Sequence, residues 1–352
     1  MNRTELSLIP YPAFLCLIAL MLPCEALAKC TKNAGSKPYK TFPALTGRLL
    51  YHSYLKYNDA TSQIYLYDFR EKKLTQVSQP KWEIRDPMNA HFSPDGKYIT
   101  FMGAQRGIWY IYILKAGSTD FPTNLTYGMG AERSEDPNFS RDGKHIVFKQ
   151  DGDIKMLDLD YSEKDGVKVT KVTNITNDKM AVEESMPYLS FDGKSVLYSS
   201  GTEAAKTTIY KKGLNLDEGT SSGSGPCTPL NAPEPVAALE HIAQYFPIFL
   251  DNQDTMVYAR WKDAKNQNDQ IYLKKLNSKA KPIELALNDC DEDNSDPASA
   301  GNGRLFFSST TGTGHYTIFL GDIKTGERWS VEPIKTKDSN NLQLGADYTE
   351  AR

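Results

Sequence analysis

The sequence has almost no helical periodicity, few cysteines, no clustered histidines and, beyond its N-terminus, no long apolar run. Each absence excludes something. Without apolar residues spaced at i, i+3, i+4 and i+7 there is no helical bundle or helical layer to build. Five cysteines in 352 residues do not make a disulfide scaffold. The five histidines, His52, His91, His145, His241 and His315, show neither H-x-H nor H-x₃-H spacing, which argues against a zinc-type cage. Charge of one sign is also missing: 41 Lys and Arg stand against 44 Asp and Glu. A net charge of −3 offers no basic face for nucleic acid. No later segment approaches the ~20 apolar residues of a membrane span.

The apolar run that does exist, Tyr11 to Leu22, follows Arg3 and precedes the small-residue pattern Ala26-Leu27-Ala28. This order predicts a secretory signal peptide over residues 1–28, cleaved after Ala28. Pro23 before Cys24 and Lys29 before Cys30 do not suit a lipid attachment site. The expected plan is a signal peptide, a short lead over 29–40 and one domain over 41–352, in the periplasm or outside the cell. Cys30, Cys227 and Cys290 survive cleavage, so one disulfide and an odd thiol are expected, with the pairing open.

What the sequence has in quantity is tyrosine, threonine, glycine and an internal repeat. Three segments nearly superimpose: Asp86-Pro87 through Ser93-Pro94-Asp95-Gly96-Lys97 to Phe101, Asp136-Pro137 through Ser140-Arg141-Asp142-Gly143-Lys144 to Phe148, and Pro187 through Ser190-Phe191-Asp192-Gly193-Lys194 to Tyr198. Weaker copies run from Phe42 to Tyr51, Phe246 to Tyr258 and Asp296 to Phe307. The closing aromatic falls at 51, 101, 148, 198, 258 and 307. Ser-x-Asp-Gly-Lys is a tight reversal in which glycine accepts positive φ. An alternating strand follows, then a third carrying Ile64, Ile111, Ile154, Ile209, Ile271 or Ile318, then a short Thr/Val-rich fourth. Four antiparallel strands per ~50 residues, repeated six times, predict an all-β chain folded as a six-bladed β-propeller.

The Ser-(Pro)-Asp-Gly-Lys repeats with their aliphatic-aromatic strand resemble the PD40, or WD40-like, repeat of the TolB β-propeller superfamily. The resemblance covers residues 41 to 350. It implies a periplasmic, non-enzymatic binding module that engages an envelope protein or peptide at the channel mouth. TolB itself carries an α/β domain ahead of its propeller, for which residues 29–40 leave no room.

Ring closure is expected from the C-terminus. Ala346-Asp347-Tyr348-Thr349-Glu350 reads like Ala131-Glu132-Arg133-Ser134-Glu135, which places the chain end at the start of the first blade, beside Phe42-Pro43. The connections that lead into each first strand are acidic and would converge on one mouth of a propeller. On this alignment Glu135, Asp136, Glu184, Asp293, Asp296 and Glu350 approach one axis, where three readings stay open: a site for Ca²⁺, which accepts six to eight oxygens in loose geometry, a funnel for a cationic ligand, or solvated loop charges with no cofactor. Arg85, Arg133, His241, Tyr245 and Tyr348 are the expected ligand or partner contacts at that mouth. Asp289-x-Asp291-x-Asp293 fails as an EF-hand, because Asn294 and Ala300 occupy the glycine and glutamate places. Gly219-Thr220-Ser221-Ser222-Gly223 lies in a Ser/Gly run, so it is a blade insertion and no nucleophile elbow. Trp82, Trp109, Tyr110, Tyr245, Phe246 and Trp261 serve either as packing between blades or as stacking platforms. The competing class is a propeller-type polysaccharide lyase or carbohydrate-binding protein, in which Arg85, Arg133 and Tyr348 would attend a uronate.

Overall fold

A computed structural model describes residues 42–351, apart from 163–165, 177–181, 203–205, 215–233, 237–238, 240–241, 253, 332–333 and 335–340. The leader, the lead segment, Cys30, Cys227, the Gly219–Gly225 run and His241 lie outside the described residues. Cys290 is disulfide-bonded.

Six four-stranded antiparallel sheets make a six-bladed β-propeller. Blade two shows the pattern, with Arg85–Phe92 innermost, then Tyr98–Gln105, Ile108–Lys115 and Thr123–Asn124. The innermost strands of blades three to six are Ser134–Phe139, Glu183–Leu189, Gln244–Phe249 and Asn294–Gly301. Neighbouring blades contact one another all the way round, blade six against blade one. The buried apolar residues divide into six clusters, one at each seam between blades. Both sequence periods lie in these seams. The six closing aromatics and the six isoleucines are at most 1% exposed.

The reversal works as its residues dictate. Ser93 Oγ donates to Asp95 Oδ1 at 2.7 Å and accepts the Tyr98 N–H at 2.9 Å, while the Lys97 N–H reaches the same Asp95 oxygen at 3.1 Å. Gly96 completes the turn at φ +68, where a Cβ would be strained. The Ser140 and Ser190 turns repeat these bonds.

Blade one is closed by the chain end. Leu342–Thr349 is its innermost strand and pairs antiparallel with Arg48–Tyr54, followed by Gln63–Asp68 and Lys73–Gln76. The C-terminus therefore supplies the whole strand beside the channel, and 42–46 are not strand. Phe42 instead stacks on Phe69 with centroids 6.0 Å apart. Tyr348 fixes the junction: its hydroxyl accepts the Gly47 N–H at 3.1 Å, and its ring packs 5.3 Å from Phe306 of blade six. Among the described residues no helix is long and apolar enough to cross a membrane.

Removing residues 342–352 would expose the sheet edge of Arg48–Tyr54 and part of the seam between blades six and one. The expected outcome is a fall in melting temperature of at least about 10 °C, or loss of a cooperative transition, in far-ultraviolet circular dichroism. An unchanged melt would show that the strand is dispensable.

Candidate functional site: the central channel

Every innermost strand carries a β-bulge at the same height. In blade three Glu135 pairs with Lys149 and Asn138 with Val147, so Asp136 and Pro137 together oppose Phe148. The same count places Met186-Pro187 opposite Tyr198, Phe246-Pro247 opposite Tyr258 and Asp296-Pro297 opposite Phe307. Asn89-Ala90 oppose Phe101, and Gly345-Ala346 oppose Tyr51. The first residue of each pair has φ between 48 and 60, the left-handed region. Proline suits the second place because it has no N–H for the interrupted ladder to lose.

These six residues form the waist of the channel. Several of their N–H groups donate to a side chain of the preceding blade: Met186 to Asp136 Oδ2 at 3.2 Å, Gly345 to Asp296 Oδ2 at 3.2 Å, and Asn89 to His52 Nδ1 at 3.4 Å. Asn89 Nδ2 also donates to Asp136 Oδ1 at 2.9 Å. Gly345 is required where it stands, since a Cβ there would meet the His52 ring at 2.6 Å.

A cavity opens on either side of this waist. On the face of the Ser-x-Asp-Gly-Lys hairpins lies a funnel of about 860 Å³, and on the face of the loops between blades lies a vestibule of about 550 Å³. Asn89, Asp136, Met186, Phe246 and Asp296 line both. Burial pushes Asp296 up to about 6, with Asp136 adding to the rise. Burial also raises Asp136, which has Glu135 beside it.

The funnel is half apolar. Phe92, Phe139, Tyr188 and Phe191 share it with Arg141, His91, Asp251 and Asp347. Arg141 lies over the Phe191 ring at 5.5 Å. His91 Nδ1 is 3.5 Å from Asp347 Oδ1, and Asp347 Oδ2 accepts the Phe92 N–H at 2.8 Å. Asp251 accepts from Ser299 Oγ and the Gly303 N–H.

The vestibule contains an ion network. Arg133 bonds Glu135, and Lys149 lies 3.0 Å from Glu135 Oε2 while also bonding Glu183. Burial opposes ionisation of Glu135, but the Arg133 bond and Lys149 together hold its carboxyl below the ordinary range. Arg133 also stacks over Trp109 at 5.3 Å.

The expected site is only partly assembled. Arg133, Glu135, Asp136 and Asp296 line the vestibule. Tyr348 and Glu350 are corrections: both line the opposite cavity, because Ala346 sits at the bulge and the strand runs on to the hairpin face. Arg85 is exposed and lines neither cavity. Glu184 is buried and lines neither, since strand alternation gives Glu183 the channel side. Asp293 and Tyr245 line neither cavity: Asp293 accepts the Asp269 N–H at 2.9 Å, and Tyr245 bonds the Asp269 carboxylate. For Ca²⁺ the structure shows no assembled cluster: among the described residues no three of His, Cys, Asp and Glu are placed to hold a metal ion, because the acids are spread over two faces and engaged one by one.

Sequence reasoning missed Asn89. It matched Asp86-Pro87 to the other Asp-Pro pairs, but these form a second bulge opposite Gly103, one step before the common one. It missed His52, Tyr54, Tyr57 and Lys149 as well, although the repeated aromatic opposite each bulge marks the height of the waist. Trp82 and Trp109 are buried and belong to the seams, and His145 is tied to Asp158 at 2.9 Å.

This geometry is that of a TolB-like β-propeller. TolB from Acinetobacter baumannii superposes with a TM-score of 0.59 at 16% identity, over 87% of this chain and 67% of that one. A protein assigned as TolB from Agrobacterium tumefaciens gives 0.54 at 15%, over 87% and 99%. The hydrazine synthase of Kuenenia stuttgartiensis gives 0.61 at 15%, and this chain spans 47% of its length. At such identities the likeness is one of fold alone. No protein-family model matches the sequence, and no curated protein matches it significantly.

Two predictions follow from the electrostatics. Lys149 is 8% exposed and neutralises Glu135, so Lys149→Met should destabilise by about 3 kcal/mol in urea unfolding, and adding Glu135→Gln should restore more than half. A double variant as unstable as the single one would refute the pairing. Burial, with Asp293 and Asp296 nearby, pushes Asp269 up to about 7, above its unfolded value of about 4. The stability this group contributes is complete below its unfolded pKa and is lost as pH rises through about 7. Glu135 is already ionised in that window and adds no change. Asp269→Asn should therefore lessen the decline in melting temperature between about pH 5 and pH 7, leaving the part due to Asp296, also pushed up to about 6, and an unaltered slope would exclude Asp269 as a source.

Proposed function

We propose that this chain is an exported TolB-like propeller that binds an envelope protein by taking an extended segment of it into the hairpin-face funnel. The funnel carries the proposal. Its about 860 Å³ suits a short extended segment, with aromatic walls for side chains and polar groups at the rim. Among its ionisable groups His91 lies against Asp347, Asp251 accepts the Gly303 N–H and Arg141 covers the Phe191 ring, which favours recognition over chemistry. The leader over residues 1–28 supports periplasmic or secreted localisation.

The test uses a plug. Asn138 lines the funnel from the innermost strand of blade three, so Asn138→Trp should fill it. Pull-downs from an envelope extract should lose a partner that wild type captures, and cross-links from the captured partner should map to funnel residues. Equal capture by plugged and open chains would reject the funnel. Release of ultraviolet-absorbing unsaturated uronate from polysaccharide would make the chain a lyase instead.

A further inference from the structure

The vestibule on the opposite face has a chemistry of its own. One wall is aromatic and comes from blade one. His52 and Tyr54 stack with centroids 5.6 Å apart and planes 12° from parallel, and Tyr57 meets Tyr54 edge-on at 6.5 Å. Tyr57 reaches past blade two to the Arg133 guanidinium of blade three, which holds it over the mouth. Burial drives His52 down to about 3, so it stays neutral and brings no positive charge to this wall.

The floor is acidic; Lys149 offsets part of the charge of Asp136 but is itself bonded to Glu135 and Glu183. Asp136 and Asp296 come from blades three and six, on opposite sides of the six-membered ring, and both line the vestibule. The two cations of the vestibule, Arg133 and Lys149, are matched by Glu135 and Glu183. That leaves two carboxylates, Asp296 buried and Asp136 half-buried, whose hydrogen-bond partners among the described residues are neutral donors: Asn89 and the Met186 N–H for Asp136, Ser295 and the Gly345 N–H for Asp296. A metal is not what the residues suit: among the described residues no three of His, Cys, Asp and Glu are placed to hold one. An aromatic wall at right angles to a tyrosine edge, above carboxylates, is instead the arrangement that holds a large, weakly hydrated cation.

We propose that the loop-face vestibule binds an organic cation, an ammonium or guanidinium group that packs against Tyr54 and Tyr57 while Asp136 and Asp296 meet its charge. The site shares Asp136 and Asp296 with the funnel, but Tyr54 and Tyr57 belong to the vestibule alone, so loss of cation binding in their variants and loss of partner capture in a plugged funnel are read separately. A free amine and a lysine or arginine side chain share this chemistry, so the probes must separate them.

The experiment titrates the full chain with choline, N-acetyl-lysine-amide and N-acetyl-arginine-amide at constant ionic strength, read by tyrosine fluorescence and calorimetry. The neutral dimethylbutanol isostere of choline is the control. At least one cation should bind, and the alcohol should not. Asp296→Asn should weaken binding at least about tenfold, and Tyr54→Leu about fivefold. Tyr57, 53% exposed at the lip, gives a variant that folds whatever the waist requires, and Tyr57→Leu should weaken binding by a similar factor. Preference for choline assigns a free quaternary amine, and preference for either amide assigns a side chain. Equal response to the alcohol, an equal response to sodium at matched ionic strength, or full binding in all three variants would overturn the proposal.

Discussion

The left-handed bulge at the waist is the constraint on which the rest of the channel depends. Six strands converging on one axis leave no room for six continuous ladders, and the extra residue lets each strand bend at its narrowest point. The bend turns a backbone N–H toward the neighbouring blade, where Asp136, Asp296 and His52 accept it. Holding a non-glycine residue at positive φ costs on the order of 1 kcal/mol, and more for bulky Met186 and Phe246. The ring tolerates this because the same geometry stitches blade to blade where apolar packing is thinnest. Strain and function thus occupy the same residues.

Closure is the second condition. A bulge-to-bulge ring is continuous only if blade one has an innermost strand, and that strand is the last segment of the chain. Gly345 shows how tightly the two ends are fitted, with its Cα hydrogen facing His52 where any side chain would collide. The first residues of the domain are left to seal the outside, through Phe42 against Phe69.

The fold was legible because blade repetition writes itself into spacing: the aromatic and isoleucine periods are the buried second and third strands, and Ser-x-Asp-Gly-Lys is a turn whose bonds its side chains dictate. The channel was legible only in part. Asp136 and Asp296 could be found from Asp-Pro, but the same dipeptide at Asp86-Pro87 misled, since only register shows which of two bulges shares the common height. Tyr348 and Glu350 were assigned to the wrong mouth because acidic residues were matched in place of the bulge, and a slip of a few residues along a strand crosses from one face to the other. Tyr57 had no signal at all. It sits in a loop without a motif, and its reach to Arg133 exists only once blades one and three are in place.

The two cavities cannot act independently, because Asp136 and Asp296 are the floor of both. A cation in the vestibule would favour the ionised carboxylates there, which burial alone disfavours. Ionised carboxylates in turn hold the Met186 and Gly345 N–H groups more firmly, since a charged acceptor makes the stronger bond. Those two residues belong to strands that also line the funnel, next to Tyr188 and Asp347. A cation bound at one mouth would therefore bias the other through two hydrogen bonds and no moving domain. By linkage that influence would be reciprocal: a segment bound in the funnel that shifted the Asp347 strand would change the affinity for a cation on the far side by the same factor.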